Sequence, residues 1–374
     1  MDPSVHIREL TPELGSEMTG LDIARPLSEA TVAALRHMLH TRGLLVVRGS
    51  CLTPAQSLAF YRHFLSATEL ASGNIQSDAL ANNDPNLLTA FGSTCGAVQL
   101  IGNGSSVKEI GPVTQREPGF WHGDFGTYRM SWNYAGCNPT LLHAVVVPKS
   151  GHGKLRWGGS ELSFRAGSTL FVRGSTLLEA LPAELASRCR RVRVRYRTNV
   201  LGAQDGHVEA SHSGVRSLSE ARAPPEGWVL GHAQPIVWRH PVTQAESLQV
   251  SASTYGIFEE RIGLGCGARA ASVSSPVADQ EEDGVPGNWA RLSRAQSTAL
   301  LEEIMSHGLT PHNTLCVDYE VGTTVIWDNR LVLHRSTPQQ GYLAEGEERL
   351  LHRVFVVDAA DRLDNFERAQ GAKL

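Results

Sequence analysis

The feature that most constrains this fold is a succession of short apolar segments, each of strand length, that begins near Gly119 and continues almost to the end of the chain. Glycine, proline and asparagine separate these segments, as is typical of turns between strands. Helices do not alternate with the strands here, which favours a jelly roll or barrel over a doubly wound sheet. The predicted strands lie at residues 141–147, 155–157, 169–172, 192–197, 235–238, 247–250, 323–327 and 351–357.

Helices are predicted on both sides of these strands. Near the N-terminus, apolar residues recur at helical spacing between Ser28 and Gly43, and glycine is a typical helix stop. A buried strand is predicted at 44–47, and a capping box that opens at Thr53 begins a second helix. Ser293 opens a late helix in the same way. The predicted class is therefore mainly β with flanking helices.

Composition excludes several other classes of protein. The chain has 374 residues, of which 41% are hydrophobic, as in a folded globular protein. Its formal net charge of −4 argues against binding to nucleic acid or anionic membrane through bulk charge. No apolar run approaches the roughly 18 residues of a membrane helix, and the N-terminus lacks an apolar signal core. We therefore expect a cytoplasmic protein, folded as a single domain over residues 1–374.

Three potential metal ligands stand out. His122 and Asp124 are separated by one residue, so in a strand both side chains project from the same face. The best candidate for a third ligand is His334, which follows the apolar strand at 323–327. Two histidines and one carboxylate form the facial triad of non-haem Fe(II) oxygenases, which leaves coordination positions open. A histidine and an aspartate at this spacing are also common by chance, so the motif needs support from elsewhere in the chain.

The last predicted strand supplies that support. Arg349, Leu351 and Arg353 alternate along it and share one face. A guanidinium pairs with a carboxylate through two parallel hydrogen bonds, so an arginine near a metal suits a dicarboxylate co-substrate. Without the metal motif, the favoured interpretation would be a solvated face paired with Glu347 or Glu348.

Together these motifs resemble the taurine dioxygenase (TauD/TfdA) family of Fe(II)- and 2-oxoglutarate-dependent dioxygenases. The resemblance extends from the segment that begins at Gly15 to the final strand, and it covers most of the chain. It implies a double-stranded β-helix, the jelly roll of cupin-like proteins, with Fe(II) on His122, Asp124 and His334. It further implies that 2-oxoglutarate and O2 are consumed, and that succinate and CO2 are released.

The resemblance also implies roles for residues outside the metal motif. Arg349 looks like the residue that pairs with the distal carboxylate of 2-oxoglutarate, and Thr169 matches the threonine that helps to hold it. Arg353 matches a position that meets the anionic group of the substrate in sulfonate-oxidising members. Further candidate substrate contacts lie in the loop before the metal motif or within the motif: Asn103, Lys108 and Trp121.

The chain departs from the simplest members of the family in three places. The gap from His334 to Arg349 is longer, residues 151–165 carry extra sequence, and the acidic stretch at 265–288 predicts a mobile surface insertion. These features look more like the branch that contains fungal xanthine dioxygenase. The resemblance thus implies a small, anionic or acceptor-rich substrate, with xanthine, another purine or a sulfonate as candidates. The carboxylate at Asp124 favours hydroxylation or desaturation over halogenation.

Two alternative functions stay open. A β-helix protein could bind a ligand or a metal without turnover. A nucleic-acid-directed oxygenase could use the strand from Arg191 to Arg197, where arginine alternates with valine and with Tyr196. A solvated face is the favoured interpretation of that strand, since no stacking aromatic residues flank it. The oligomeric state is also open, although enzymes of this family often self-associate as homo-oligomers.

Overall fold

Two β-sheets that face each other form the centre of the fold. The computed structural model describes residues 4–65, 94–95, 98–102, 121–123, 139–157, 160–196, 233–250, 254–261, 288–337 and 346–355. The helices there are α1 (Glu29–Arg42), α2 (Pro54–Arg62), α3 (Gly174–Glu179), α4 (Ala183–Cys189) and α5 (Arg294–Gly308). The strands are β1 (His6–Glu9), β2 (Ser16–Thr19), β3 (Leu44–Val47), β4 (Thr94–Cys95), β5 (Val98–Gly102), β6 (Pro139–Val146), β7 (His152–Trp157), β8 (Ser160–Arg165), β9 (Thr169–Arg173), β10 (Val192–Tyr196), β11 (Gln234–Pro235), β12 (Val237–Arg239), β13 (Glu246–Leu248), β14 (Thr254–Glu260), β15 (Trp289–Arg291), β16 (Thr314–Val317), β17 (Thr324–Asp328), β18 (Val332–Ser336) and β19 (Leu350–Phe355).

The larger of the two facing sheets has eight strands in the order β1-β2-β3-β17-β6-β19-β5-β4. Strands β2 and β3 pair in parallel, whereas β17 pairs antiparallel with both β3 and β6. The facing sheet has three antiparallel strands in the order β16-β9-β18. Smaller sheets are formed by β11-β10-β14-β15, by β12-β13 and by β7-β8. The predicted class, mainly β with flanking helices, is confirmed.

Successive side chains of a strand point to opposite faces of the sheet, so the core is divided into layers. On β17, Val325 and Trp327 belong to the apolar cluster between the two sheets, whereas Ile326 belongs to the cluster on the outer face. Phe171 of β9 meets Trp327 across the gap between the sheets, with ring centroids 5.2 Å apart. Leu35 of α1 packs in the outer cluster with Ile326. Each such buried side chain contributes about 1.5–3 kcal/mol of apolar burial, so both faces of β17 hold the sheet in place.

The three helices predicted from capping signals are confirmed. The hydroxyl of Ser28 accepts a hydrogen bond from the N–H of Thr31 at the start of α1, which ends at Gly43 with a left-handed φ of 71°. Thr53 and Ser293 each form the capping box expected at the start of α2 and α5. In each case, the side chain satisfies N–H groups that have no partner inside the helix.

The structure differs from the strand prediction at 235–238. That segment divides into β11 and β12, because Ile236 is the point at which the chain changes partners. Its N–H donates to the carbonyl of Val192 at 3.0 Å, and its carbonyl accepts from the N–H of Gln249 at 2.7 Å. Helices α3 and α4 were not predicted, since neither has a side-chain cap.

Two further predictions concern residues outside those that the structure describes. Most of the predicted insertion at 265–288 lies outside the described residues. The prediction of a single domain over 1–374 stays a prediction. Among the described helices, none is both long and apolar enough to cross a lipid bilayer.

Two buried histidines connect the large sheet to α2. Nε2 of His143 on β6 accepts the N–H of Leu52 at 3.0 Å, so Nδ1 donates to the hydroxyl of Thr324 at 2.8 Å. His352 on β19 lies 5.5 Å from His143 between ring centroids, and its Nδ1 contacts the hydroxyl of Ser57. Burial, with a smaller effect of the neighbouring His352, lowers the pKa of His143 to about 4. Burial also lowers the pKa of His352.

We predict that the free energy of unfolding decreases as the pH falls from 6.5 toward 4. In this window, His143 takes up a proton in the unfolded chain but not in the folded chain, which costs stability at about 1.4 kcal/mol per pH unit. His143→Gln, which keeps an acceptor for Leu52, should flatten the dependence. Urea unfolding of both proteins between about pH 4 and pH 8 measures the slopes. The two curves should run parallel above pH 7, and an unchanged slope below pH 6.5 in the variant would contradict the assignment.

Candidate active site

Backbone pairing brings two of the predicted metal ligands together. The N–H of His122 donates to the carbonyl of His334 at 3.0 Å, and the N–H of His334 donates to the carbonyl of His122 at 2.9 Å. The two imidazole centroids are 4.2 Å apart. Because β18 pairs with β9, His334 lies between the two sheets beside Phe171 and Trp327. Residues far apart in the sequence therefore present their imidazoles at one place.

The surroundings of His334 suit a metal ligand. Its ring lies 4.7 Å from that of Trp327 and 6.2 Å from that of Phe171, measured between centroids. Burial lowers the pKa of His334 to about 3, against a smaller opposing effect of its hydrogen bond with the backbone of His122. The neutral imidazole is the form that binds a divalent metal. Two adjacent imidazoles, one of them held neutral by burial, fit the donor set of a facial triad.

Three predicted site residues lie outside the described residues: Asp124, Asn103 and Lys108. The structure describes 121–123 around the metal motif, so the third ligand and the two loop contacts stay predictions.

Trp121 points to the opposite side from His122. Its side chain is 1% exposed and belongs to the apolar cluster that holds Leu170 and Leu333 of the three-stranded sheet. Ile304 of α5 is in the same cluster. Successive side chains of an extended segment alternate, so His122 faces the gap between the sheets while Trp121 packs beneath α5. This placement gives Trp121 a packing role and does not support the predicted substrate contact.

A chain of hydrogen bonds behind His334 fixes the indole that packs against it. Nε1 of Trp327 donates to Oδ1 of Asn329 at 2.9 Å, and Nδ2 of Asn329 donates to the hydroxyl of Thr140 at 2.9 Å. Asn329 is 1% exposed, so these bonds form away from water. Asn329 therefore positions His334 through Trp327. Its contact with Thr140 on β6 has no local signal in the sequence.

A second group of potential metal ligands lies at the end of β17. His40, His240 and Asp328 each place one ligand atom within 4.8 Å of the other two. The carboxylate of Asp328 is already bound, since Arg330 donates to Oδ2 from Nη2 at 2.8 Å and to Oδ1 from Nε at 3.1 Å. Burial alone would raise the pKa of Asp328, but Arg330 and His240 outweigh burial and hold the pKa well below its usual range.

The tautomer of His240 argues against a metal in this second group. Its Nδ1 accepts the N–H of Thr243 at 3.1 Å, so the ring proton is on Nε2, which lies 3.2 Å from Oδ2 of Asp328. A metal would need the lone pair of that nitrogen. The charge of Arg330 beside the carboxylate also repels a cation. This group is therefore a buried ion-pair network, and the His122–His334 pair is the better metal centre.

The two predicted 2-oxoglutarate residues meet at Tyr319. The guanidinium carbon of Arg349, a buried residue just before β19, is 5.9 Å from the centroid of the Tyr319 ring. The hydroxyl of Thr169, at the start of β9, is 3.0 Å from that of Tyr319. Gly167 gives Arg349 its space, since its φ is +87° and a Cβ there would lie 2.9 Å from Cδ of Arg349. Tyr319 was not among the residues predicted from the sequence.

Arg353 lies on the inner face of β19. It is opposite Leu142 of β6 and two residues from Leu351, and both of these belong to the apolar cluster between the sheets. Its guanidinium carbon is 4.6 Å from the centroid of Phe355. Burial lowers the pKa of Arg353 to about 10, so the side chain stays charged at pH 7. The predicted common face of the last strand is confirmed for Leu351 and Arg353.

Two facing sheets, a pair of adjacent histidines between them and a buried arginine just before β19 are features of a jelly-roll oxygenase. The family model described as "Taurine catabolism dioxygenase TauD, TfdA family" matches residues 6–355. The chain belongs to this family. The predicted enzyme class, a dioxygenase that depends on Fe(II) and 2-oxoglutarate, is confirmed.

Curated relatives match nearly the full chain at low identity. Alpha-ketoglutarate-dependent xanthine dioxygenase of Emericella nidulans is 24% identical, and the alignment covers 94% of this chain and 96% of the relative. Alpha-ketoglutarate-dependent 2,4-dichlorophenoxyacetate dioxygenase of Cupriavidus pinatubonensis is 25% identical over 89% of this chain and 92% of the relative. (S)-phenoxypropionate/alpha-ketoglutarate-dioxygenase of Sphingobium herbicidovorans is 24% identical over 90% and 91%.

Solved structures share the fold. A taurine dioxygenase from Burkholderia xenovorans has a TM-score of 0.57 at 20% identity, over 95% of this chain and 90% of that chain. AAD-2, solved in complex with Mn(II) and N-oxalylglycine, has a TM-score of 0.58 at 17% identity, over 94% and 97%. The predicted double-stranded β-helix is thereby confirmed.

We predict that Asp328→Asn lowers the free energy of unfolding by about 3–5 kcal/mol, because Arg330 loses its buried charged partner. The matched control is Glu161→Gln at the exposed ion pair with Lys154, which should cost less than about 1 kcal/mol. Urea unfolding of the wild type and both variants measures the difference. Folded Asp328→Asn should still bind Fe(II), and loss of the metal from the folded variant would contradict the assignment of this network as structural.

Proposed function

We propose that this chain couples oxidative decarboxylation of 2-oxoglutarate to hydroxylation or desaturation of a small, anionic or acceptor-rich organic molecule. His122, Asp124 and His334 hold Fe(II), and Arg349 with Thr169 holds the distal carboxylate of 2-oxoglutarate. The observation that carries this proposal is the pair of imidazoles 4.2 Å apart between the two sheets. When bound, Fe(II) activates O2 and supplies the oxidation itself.

The protein residues contribute geometry, charge and shelter from water. Burial keeps His334 neutral, and Trp327 and Phe171 restrict the movement of its ring. Arg349 lies in a buried position where its charge attracts a carboxylate more strongly than it would in water. A dicarboxylate held at one end by Arg349 can extend toward the imidazoles with its other end. Apolar walls on both sheets exclude water from this space.

Arg353 supports an anionic or acceptor-rich substrate. It is charged at pH 7 and lies on the same inward face as Leu351. Relatives named for 2,4-dichlorophenoxyacetate and (S)-phenoxypropionate act on carboxylates, and the relative named for xanthine acts on a purine rich in hydrogen-bond acceptors. A guanidinium suits either chemistry. Xanthine or another purine and a sulfonate such as taurine are therefore the first candidates to test.

We also infer that the substrate is a small molecule and not a nucleic acid. In the predicted basic strand, Arg193 lies over the ring of Trp289, with the guanidinium carbon 5.2 Å from the centroid. It also donates to the carbonyl of Ala233, while Arg191 donates to the carbonyl of Ser187. These contacts within the chain engage two of the four arginines that would otherwise meet phosphates. The cytoplasmic location stays a prediction from the sequence.

The proposed reaction predicts succinate release from 2-oxoglutarate under air with ferrous iron. His122→Ala should lower the rate at least about 100-fold, since a metal ligand is lost. The matched control is His152→Ala, which removes an exposed imidazole from β7 and should leave the rate unchanged. Unfolding temperatures show whether both variants are folded. Succinate release by folded His122→Ala at the wild-type rate would contradict the proposal, and so would its absence in the wild type.

A pair of arginine variants separates the co-substrate from the substrate. We predict that Arg349→Gln raises the KM for 2-oxoglutarate about 10-fold or more, because a charged hydrogen bond is worth about 1.5–3 kcal/mol. Arg353→Gln should change that KM by less than about threefold while it raises the KM for the organic substrate by a similar factor of about 10. A screen of xanthine, taurine and 2,4-dichlorophenoxyacetate, followed by succinate release, supplies the substrate. The reverse pattern would show that the roles are exchanged.

A further inference from the structure

Tyr319 is a buried residue that no motif in the sequence singles out. Its side chain is 3% exposed, and its hydroxyl lies 3.0 Å from that of Thr169. Strand pairing explains the contact, since Val317 at the end of β16 is opposite Thr169 at the start of β9. Tyr319 follows two residues later and reaches back to the same point. Its ring also meets the guanidinium of Arg349, so one side chain contacts both residues that are proposed to hold the co-substrate.

The backbone around this contact is fixed by groups other than the Tyr319 hydroxyl. The hydroxyl of Ser168, next to Thr169, donates to the carboxylate of Asp318, next to Tyr319, at 2.5 Å. Arg48 donates to the carbonyl of Asp318 at 2.8 Å and to the hydroxyl of Thr323 at 3.0 Å. Removal of the phenol oxygen alone should therefore leave the position of the ring unchanged.

The two hydroxyl groups share a single hydrogen bond, and either can be the donor. If Thr169 donates to Tyr319, then Thr169 presents oxygen lone pairs to an incoming carboxylate, which repels it. If Tyr319 donates, the proton of Thr169 is free to point at the carboxylate. Burial raises the pKa of Tyr319 to about 12, so the phenol keeps its proton at pH 7 and can act as this donor.

We propose that Tyr319 is a positioning residue for 2-oxoglutarate: its phenol donates to Thr169 and so directs the threonine proton toward the distal carboxylate. This inference rests on the proposed function, in which Thr169 and Arg349 bind that carboxylate. The ring of Tyr319 also limits where the guanidinium of Arg349 can lie. Tyr319 contacts no ligand itself, so its effect falls on co-substrate affinity and not on the chemical step.

The test is a double-mutant cycle on 2-oxoglutarate affinity. Tyr319→Phe, Thr169→Val and the double variant are loaded with Fe(II) without air and titrated with 2-oxoglutarate in a calorimeter. Tyr319→Phe should raise the Kd about three- to tenfold, the value of one neutral hydrogen bond. In the Thr169→Val background, the same change should alter the Kd by less than about twofold, because the group through which Tyr319 acts is gone.

A matched control comes from Tyr61, a buried tyrosine on α2. Its hydroxyl donates to the carbonyl of Pro139 at 2.9 Å, and its ring belongs to the outer apolar cluster. Tyr61→Phe removes the same atom from a buried site and should leave the Kd for 2-oxoglutarate unchanged. In steady-state assays of succinate release, Tyr319→Phe should raise the KM for 2-oxoglutarate and leave kcat within about twofold.

Each outcome of this experiment is informative. An unchanged Kd in Tyr319→Phe overturns the inference alone, provided that the wild type binds 2-oxoglutarate. An equal loss of affinity in the wild-type and Thr169→Val backgrounds also overturns it, because the phenol would then act independently of Thr169. A lower kcat with an unchanged KM would show a role in the chemical step, which the inference excludes. Failure of the wild type to bind 2-oxoglutarate would overturn the proposed function and this inference with it.

Discussion

The site depends on two backbone hydrogen bonds that join His122 to His334. They set the imidazoles side by side, but only because β18 lies in one register on β9, with His334 opposite Phe171 and Leu333 opposite Val172. A shift of one residue would turn His334 into the apolar layer beneath α5 and bring Leu333 to the metal position. The apolar layers on the two sides of the three-stranded sheet hold that register, so packing decides where the metal can bind.

Buried charged side chains occur in two different environments in this protein. Asp328 and Arg330 satisfy each other within the turn after β17, and His240 completes the arrangement. Such a network fixes the backbone but has little capacity left for a ligand. Arg349 instead lies buried with its guanidinium carbon 5.9 Å from the centroid of the Tyr319 ring. This difference explains why the group of His40, His240 and Asp328 is structural, while the proposed site uses a histidine pair and an arginine elsewhere in the fold.

The helices and most strands could be predicted from the sequence because their signals are local. The capping box at Thr53 and the alternation of Leu351 with Arg353 need only a few neighbouring residues. Tyr319 and Asn329 could not be predicted, because their partners lie on distant strands and become visible only once the register is known. Trp121 was predicted to contact the substrate because it is next to His122, a predicted metal ligand, in the sequence. In the structure its side chain points to the opposite face. Asp124 and the loop with Asn103 and Lys108 lie outside the described residues and stay predictions.

The strand order of the large sheet determines when β3 can pair during synthesis of the chain. Strand β3, at Leu44–Val47, has β2 on one edge and β17, at Thr324–Asp328, on the other. One edge of β3, a strand of apolar side chains, therefore stays unpaired until the ribosome has synthesised Thr324–Asp328. Long-range pairing of this kind is slow and exposes nascent chains to aggregation. Until then, α1 packs on the outer face of β3 and leaves this edge open, so production of this enzyme should depend on how well cells shield the unpaired edge.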